Sequence, residues 1–81
     1  MTRVIFRTFK KFNNEVIALF PDEIANSYGE CMSYMHYGQH SPADYNLVVK
    51  NTKPASDEEA QELLDELRYI GYDDLKVYKR K

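Results

Sequence analysis

The sequence predicts an α+β domain, a two-layer sandwich in which one helix packs on a mainly antiparallel sheet of three to five strands. Three observations carry this. Arg3 to Phe9 and Val16 to Phe20 are compact runs rich in β-branched and aromatic residues, separated by turn-forming residues. Ser56 and Glu59 precede an apolar stripe of Ala60, Leu63, Leu64, Leu67 and Ile70 at helical spacing. A helix with one apolar stripe must bury it, and a sheet is the only large partner that a single domain spanning residues 1–81 can build.

The first two runs form a β-hairpin, because Asn13 and Asn14 in the Lys10 to Glu15 connection tolerate left-handed backbone angles. Pro21 lacks an N–H and is expected to close the second strand. Asp22 to Gly29 reads as a loop, or as one helical turn around Glu23 to Asn26. Cys31 to Tyr37 is nearly continuously apolar, which suits a strand or a short helix, with strand preferred. Gly38, Ser41 and Pro42 are expected to break the chain, and Tyr45 to Lys50 to form a further strand. Thr52 to Ala55 is a connector.

The Ser56–Glu59 capping box opens a helix from Asp57 to Ile70, and Gly71 stands where a helix ends in a left-handed residue. Leu75 to Lys79 alternates apolar and polar positions, as a terminal strand exposed on one side does. The right-handed crossover rule makes the Tyr45 and Leu75 strands parallel.

The chain is 43% hydrophobic and 30% charged, the balance of a folded domain rather than a disordered one. A net charge of −2 and a pI near 5.6 argue against a dedicated nucleic-acid binder, which needs surplus Lys and Arg. Cys31 is the sole cysteine, so no internal disulfide forms, and a cytoplasmic, reducing location is expected. Arg3, Arg7 and Lys10 interrupt the N-terminal apolar residues, so neither a signal peptide nor a membrane span is expected there.

The segment from Cys31 to His40 gathers the most potential chemistry. Cys31, His36 and His40 are zinc-ligand types, but Gly38 and Pro42 oppose a continuous helix that would align the histidines, and only Asp44 offers a fourth ligand. Cys31 or Ser33 with His36 or His40 and Asp44 or Asp22 would supply a nucleophile, base and orienting carboxylate, yet no strand-turn-helix elbow surrounds Ser33. Three dispersed glycines exclude a phosphate-cradling loop. Neither a cofactor nor a metal is expected.

Charge is segregated. Arg3, Arg7, Lys10, Lys11, Lys76, Lys79, Arg80 and Lys81 fall on proposed strands and their ends, whereas the helical segment carries eight acidic residues from Asp57 to Asp74 against Arg68 alone. An open sheet face bearing Arg7, Tyr34 and Tyr78 would suit protein recognition, where Tyr and Arg often dominate binding energy.

Three stretches together resemble a family of small bacterial and mobile-element proteins. They are Val4-Ile5-Phe6-Arg7 with Phe9, Glu15-Val16-Ile17-Ala18-Leu19-Phe20-Pro21, and Ser33-Tyr34-Met35-His36 with Gly38-Gln39-His40. The closing helix with Gly71-Tyr72 fits the same pattern, so the likeness spans nearly the whole chain. It implies a bacterial or phage-like cytoplasmic origin and supplies no activity or catalytic residue.

The preferred functional expectation is therefore a small non-enzymatic binding module. It would act on a protein partner, or on a second copy of itself, through the sheet face with Tyr34, His36, Gln39, His40, Arg7 and Tyr78 as binding residues. One alternative is single-stranded nucleic-acid binding by a basic, aromatic sheet. The other is a metal- or Cys-dependent enzyme using Cys31, His36 and His40.

Overall fold

A computed structural model describes residues 2–9, 15–35 and 39–79, with only the backbone of Gln39 and His40. The elements in chain order are β1 (Thr2–Phe9), β2 (Val16–Ile24), β3 (Cys31–Met35), β4 (Gln39–Ala43), α1 (Tyr45–Asn51), β5 (Thr52–Pro54), α2 (Asp57–Tyr69) and β6 (Leu75–Tyr78). The strands make one sheet in the order β4-β3-β2-β1-β5, and β6 also pairs with β1.

β1 and β2 are the expected hairpin, antiparallel with Ile5 opposite Leu19 and Thr8 opposite Val16. Their turn lies in residues 10–14, outside the described residues. β1 then divides its other edge between two short strands. β5 pairs antiparallel with Arg7 to Phe9, and β6 pairs parallel with Thr2 to Ile5. This sharing raises the strand number to six and makes β1/β6 the parallel pair.

The α+β class and the helix-on-sheet packing are as the apolar stripe requires. Ala60, Leu63 and Leu67 of α2 are buried against Val4, Phe6, Ala18, Phe20 and Tyr34. Leu63 and Leu67 are fully inaccessible, each worth about 2 kcal/mol of transfer free energy. The capping box is formed, with Glu59 N–H donating to Ser56 Oγ at 3.1 Å and Ser56 N–H to Glu59 Oε1 at 2.9 Å. At the other end Gly71 N–H donates to the Arg68 carbonyl and Tyr72 N–H to the Leu67 carbonyl, the paired bonds of a Schellman motif. Gly71 adopts φ +122°, which a side chain would strain.

The segment from Tyr45 corrects the expected strand. It is a helix, because Asp44 caps it by accepting from Leu47 N–H at 3.1 Å. Tyr45, Val48 and Val49 then fall on one helical face and pack against Ile5, Ile17, Leu19, Cys31 and Ala43, on the sheet face opposite α2. Burial of that face outweighs the strand preference of two adjacent valines. The central strands are thus covered on both sides, which explains the unbroken apolar run Val16 to Phe20.

Three smaller differences share one cause, pairing with a neighbouring strand, which the residue types of a single segment do not reveal. β2 does not stop at Pro21 but continues to Ile24 through a register shift between Phe20 and Ile24, where a ladder donor is dispensable. Gln39 to Ala43 is not a break but β4, an edge strand on which Pro42 is tolerated. Thr52 to Pro54 is a short strand rather than only a connector.

Candidate functional site

The site is built where β2–β3 and β4–α1 meet. Cys31 pairs with Ala43 as the last rung between β3 and β4, so Glu30 and Asp44 leave the sheet side by side. Glu30 closes the loop from Ala25, whose N–H donates to the Glu30 carbonyl at 2.7 Å. Asn26 organises that loop. Its Oδ1 accepts from Tyr28 N–H at 3.0 Å and its Nδ2 donates to Glu30 Oε1 at 2.6 Å. Gly29 supplies the left-handed angle, φ +80°, that turns the chain back. Tyr28 is left at the loop tip, 88% exposed.

Asp44 fixes the opposite wall by capping α1. Between the walls lies a cleft of about 240 Å³ lined by Tyr28, Gly29, Glu30, Asp44, Tyr45 and Asn46. Ile24, 80% exposed, pairs with Cys31 next to Glu30, and Leu47, 58% exposed, follows Asn46. Among the described residues neither Glu30 nor Asp44 enters an ion pair.

On the same sheet face Arg3 bonds Asp22 through two guanidinium nitrogens, Nε to Oδ2 at 2.6 Å and Nη2 to Oδ1 at 2.5 Å. Its guanidinium carbon stands 5.3 Å from the Tyr78 ring centroid. The bond to Asp22 is the main reason the Arg3 pKa is raised, with Tyr78 and Tyr45 among the lesser contributors.

The predicted binding residues do not converge on one surface. Tyr34 is 1% exposed and belongs to the α2-side core, because its place opposite Ala18 in β3 turns it toward the helix. Arg7 is 8% exposed, and its guanidinium is directed to the end of α1 and to Thr52 rather than to solvent. Tyr78 is half-buried beside Arg3. Gln39 and His40 pair through their backbone with Met35 and Tyr34. His36 and the side chains of Gln39 and His40 lie outside the described residues, so the proposed Cys31, His36 and His40 cluster does too, beyond Cys31 itself, which is buried on the α1 side. Among the described residues no group of three or more His, Cys, Asp or Glu is placed to hold a metal ion.

Sequence reasoning passed over Tyr28 and Glu30, and named Asp44 only as a possible metal ligand or orienting carboxylate and Tyr45 only as the start of a strand. The available signals were local: Asn26 and Gly29 framing a tight loop, and Asp44 ahead of apolar residues at positions 45, 48 and 49. No helix of the described residues is long and apolar enough to cross a membrane. Comparison with known protein families, with characterised proteins and with solved structures found no match.

Proposed function

We propose that the chain is a non-enzymatic binding module whose partner is a protein, engaged on the α1-side surface around the Tyr28–Tyr45 cleft. The observation that carries this is the exposure of Tyr28 on the cleft together with that of Ile24, paired with Cys31 next to Glu30, and Leu47, which follows Asn46, since large apolar side chains left in water stabilise nothing in the fold itself. Tyrosine is also a frequent source of binding energy at protein interfaces. The cleft volume of about 240 Å³ falls below the roughly 300–1,000 Å³ typical of small-molecule pockets, which favours a protein surface over a metabolite site. Burial of Phe6 and Arg7 and the pairing of Arg3 with Asp22 weigh against a base-stacking, phosphate-neutralising sheet. A cytoplasmic, bacterial or mobile-element setting belongs to the same proposal, on the strength of the sole cysteine and the sequence resemblance.

The test is affinity capture from bacterial lysate, with size-exclusion and light scattering, for the wild type and for a Tyr28→Ser, Leu47→Ser double variant. A protein species, or a self-associated form, present with the wild type and lost with the variant at an unchanged melting temperature is expected. A strictly monomeric wild type that retains nothing the variant loses overturns the proposal.

A further inference from the structure

We infer that the free edge of β6 is a self-association surface, on which β6 of a second copy pairs antiparallel about a two-fold axis at Val77 and joins the two sheets into one. This surface shares no residue with the Tyr28–Tyr45 cleft and stands independently of it.

Backbone geometry opens the edge. Among the described residues β6 pairs with β1 alone. Thr2 N–H donates to the Asp74 carbonyl at 3.1 Å, and a parallel ladder in the register Thr2–Leu75 and Val4–Val77 then uses the backbone of Lys76 and Tyr78. Leu75 and Val77 therefore turn their N–H and carbonyl groups away from β1, where they form a template for a further strand. The other edge strands, β4 and β5, each lack one donor at Pro42 and Pro54, whereas β6 contains no proline.

Side chains select a second copy and its register. A two-fold axis at Lys76 sets two ammonium groups opposite one another, and one at Leu75 sets Val77 against Asp73. An axis at Val77 instead brings together two valines, each 44% exposed in the single chain, and places Lys76 opposite Tyr78 of the second copy. Charge supports the same register. β5 continues the line of β6 along β1, with Pro54 opposite Arg7 and Lys53 opposite Thr8. Counted back from the axis, Asp73 of the second copy arrives level with Thr8, alongside Lys53. Both residues are exposed, and strand alternation puts both on the α2 side, the side of Val4, which lies opposite Val77. The two-fold axis repeats the contact, so one interface holds two Lys53–Asp73 pairs.

The test is sedimentation equilibrium of the intact chain over a rising concentration series, with amide hydrogen exchange followed by NMR. A ladder this short buries less than the roughly 1,200 Å² at which standard interfaces begin, so a concentration-dependent monomer–dimer equilibrium is expected. Protection of the Leu75 and Val77 amides should rise with concentration, while that of Lys76 and Tyr78 stays constant. Val77→Pro removes an outward donor and none of the bonds to β1, and is expected to weaken association roughly tenfold or more. Lys53→Asp and Asp73→Lys should each weaken it roughly three- to tenfold, and the two together should restore it.

A chain that stays monomeric throughout the series overturns the inference, as does a dimer that Val77→Pro or both single charge reversals leave intact. Should circular dichroism show that Val77→Pro does not fold, the charge reversals and their mutual rescue decide alone. The Tyr28→Ser, Leu47→Ser variant is expected to dimerise as the wild type does. A dimer lost in that variant and kept in the charge reversals belongs to the cleft surface and removes this inference. Partner capture that survives the charge reversals while the dimer is absent leaves the cleft reading standing.

Discussion

Arg7 and Thr52 are joined twice, by Arg7 Nε donating to Thr52 Oγ1 at 2.9 Å and by Nη2 donating to the Thr52 carbonyl at 2.8 Å. Nη2 also donates to the Val49 carbonyl at 3.0 Å, and Thr52 Oγ1 in turn donates to the Val48 carbonyl at 2.6 Å. A buried guanidinium on β1 therefore closes the C-terminal end of α1 and fixes the start of β5. The carbonyl ends of the helix carry partial negative charge, so a cation is favourable there.

Arg7→Ala is expected to destabilise the chain by about 2–4 kcal/mol, since it strands buried carbonyls that a charged donor now satisfies. Arg7→Lys should recover only part of that loss, because an ammonium lacks the planar fork that reaches both carbonyls and a hydroxyl. Urea denaturation measures both. A change under about 0.5 kcal/mol for Arg7→Ala would assign these bonds no stabilising role.

Tyr34→Ala should cost about 3–5 kcal/mol, the range for deleting a large core side chain, because its ring is enclosed with Phe20, Leu63 and Leu67. Equilibrium unfolding monitored by circular dichroism reads this. A near-neutral outcome would place Tyr34 at the surface instead.

Tyr28→Ser should leave stability within about 0.5 kcal/mol of the wild type, because the side chain is 88% exposed and only its backbone N–H bonds Asn26. Thermal melting of the two proteins side by side decides it, and a large drop would mean that Tyr28 braces the loop.

The Glu59 carboxyl is held below its ordinary value of 4.5, chiefly by the hydrogen bond from the Ser56 backbone N–H. The unfolded chain then binds the proton more tightly than the folded one. The contribution of this cap is present above pH 4.5 and is lost as pH falls through the folded-state value. Glu59→Gln retains an acceptor without titrating, so the melting-temperature advantage of the wild type over this variant should shrink on acidification below pH 4.5. An advantage that stays constant with pH would contradict the assignment.

Tyr72 shows the opposite limb. Burial, aided by nearby Glu23, raises its phenol above the ordinary 10.0, while its ring stacks on Phe20 with centroids 5.3 Å apart. The stability linked to the neutral phenol is intact below pH 10.0 and is lost as pH rises through the raised folded value. Tyr72→Phe keeps the stacked ring and should flatten the alkaline decline in melting temperature. If both proteins lose stability in parallel, another group governs that limb.

α2 was legible in the sequence because its signals are local. Ser56 and Glu59 satisfy one another across three residues, the apolar positions repeat every turn, and Gly71 adopts the conformation that ends the helix. The hairpin from β1 to β2 and the edge strand β6 were legible for the same reason, each being a short apolar or alternating run bounded by turn residues.

The α1 helix was less legible. Its valines favour a strand by propensity, and only the Asp44 cap and the spacing of positions 45, 48 and 49 oppose that preference. Packing against Ile5, Ile17 and Leu19 decides the contest. Once α1 occupies that face, Arg7 is no longer a surface cation but a buried cap. Tyr34, in turn, is committed to the core by its register opposite Ala18.

By itself, then, the sequence determined the α+β class, the capped α2 helix and the hairpin, because local hydrogen bonds and periodic burial are written in neighbouring residues. The tertiary structure alone decided which polar residues meet. Tyr28 to Glu30 and Asp44 to Asn46 form one cleft only because the β3–β4 ladder ends at Cys31 and Ala43, and that juxtaposition is set by pairing across the sheet rather than by either segment.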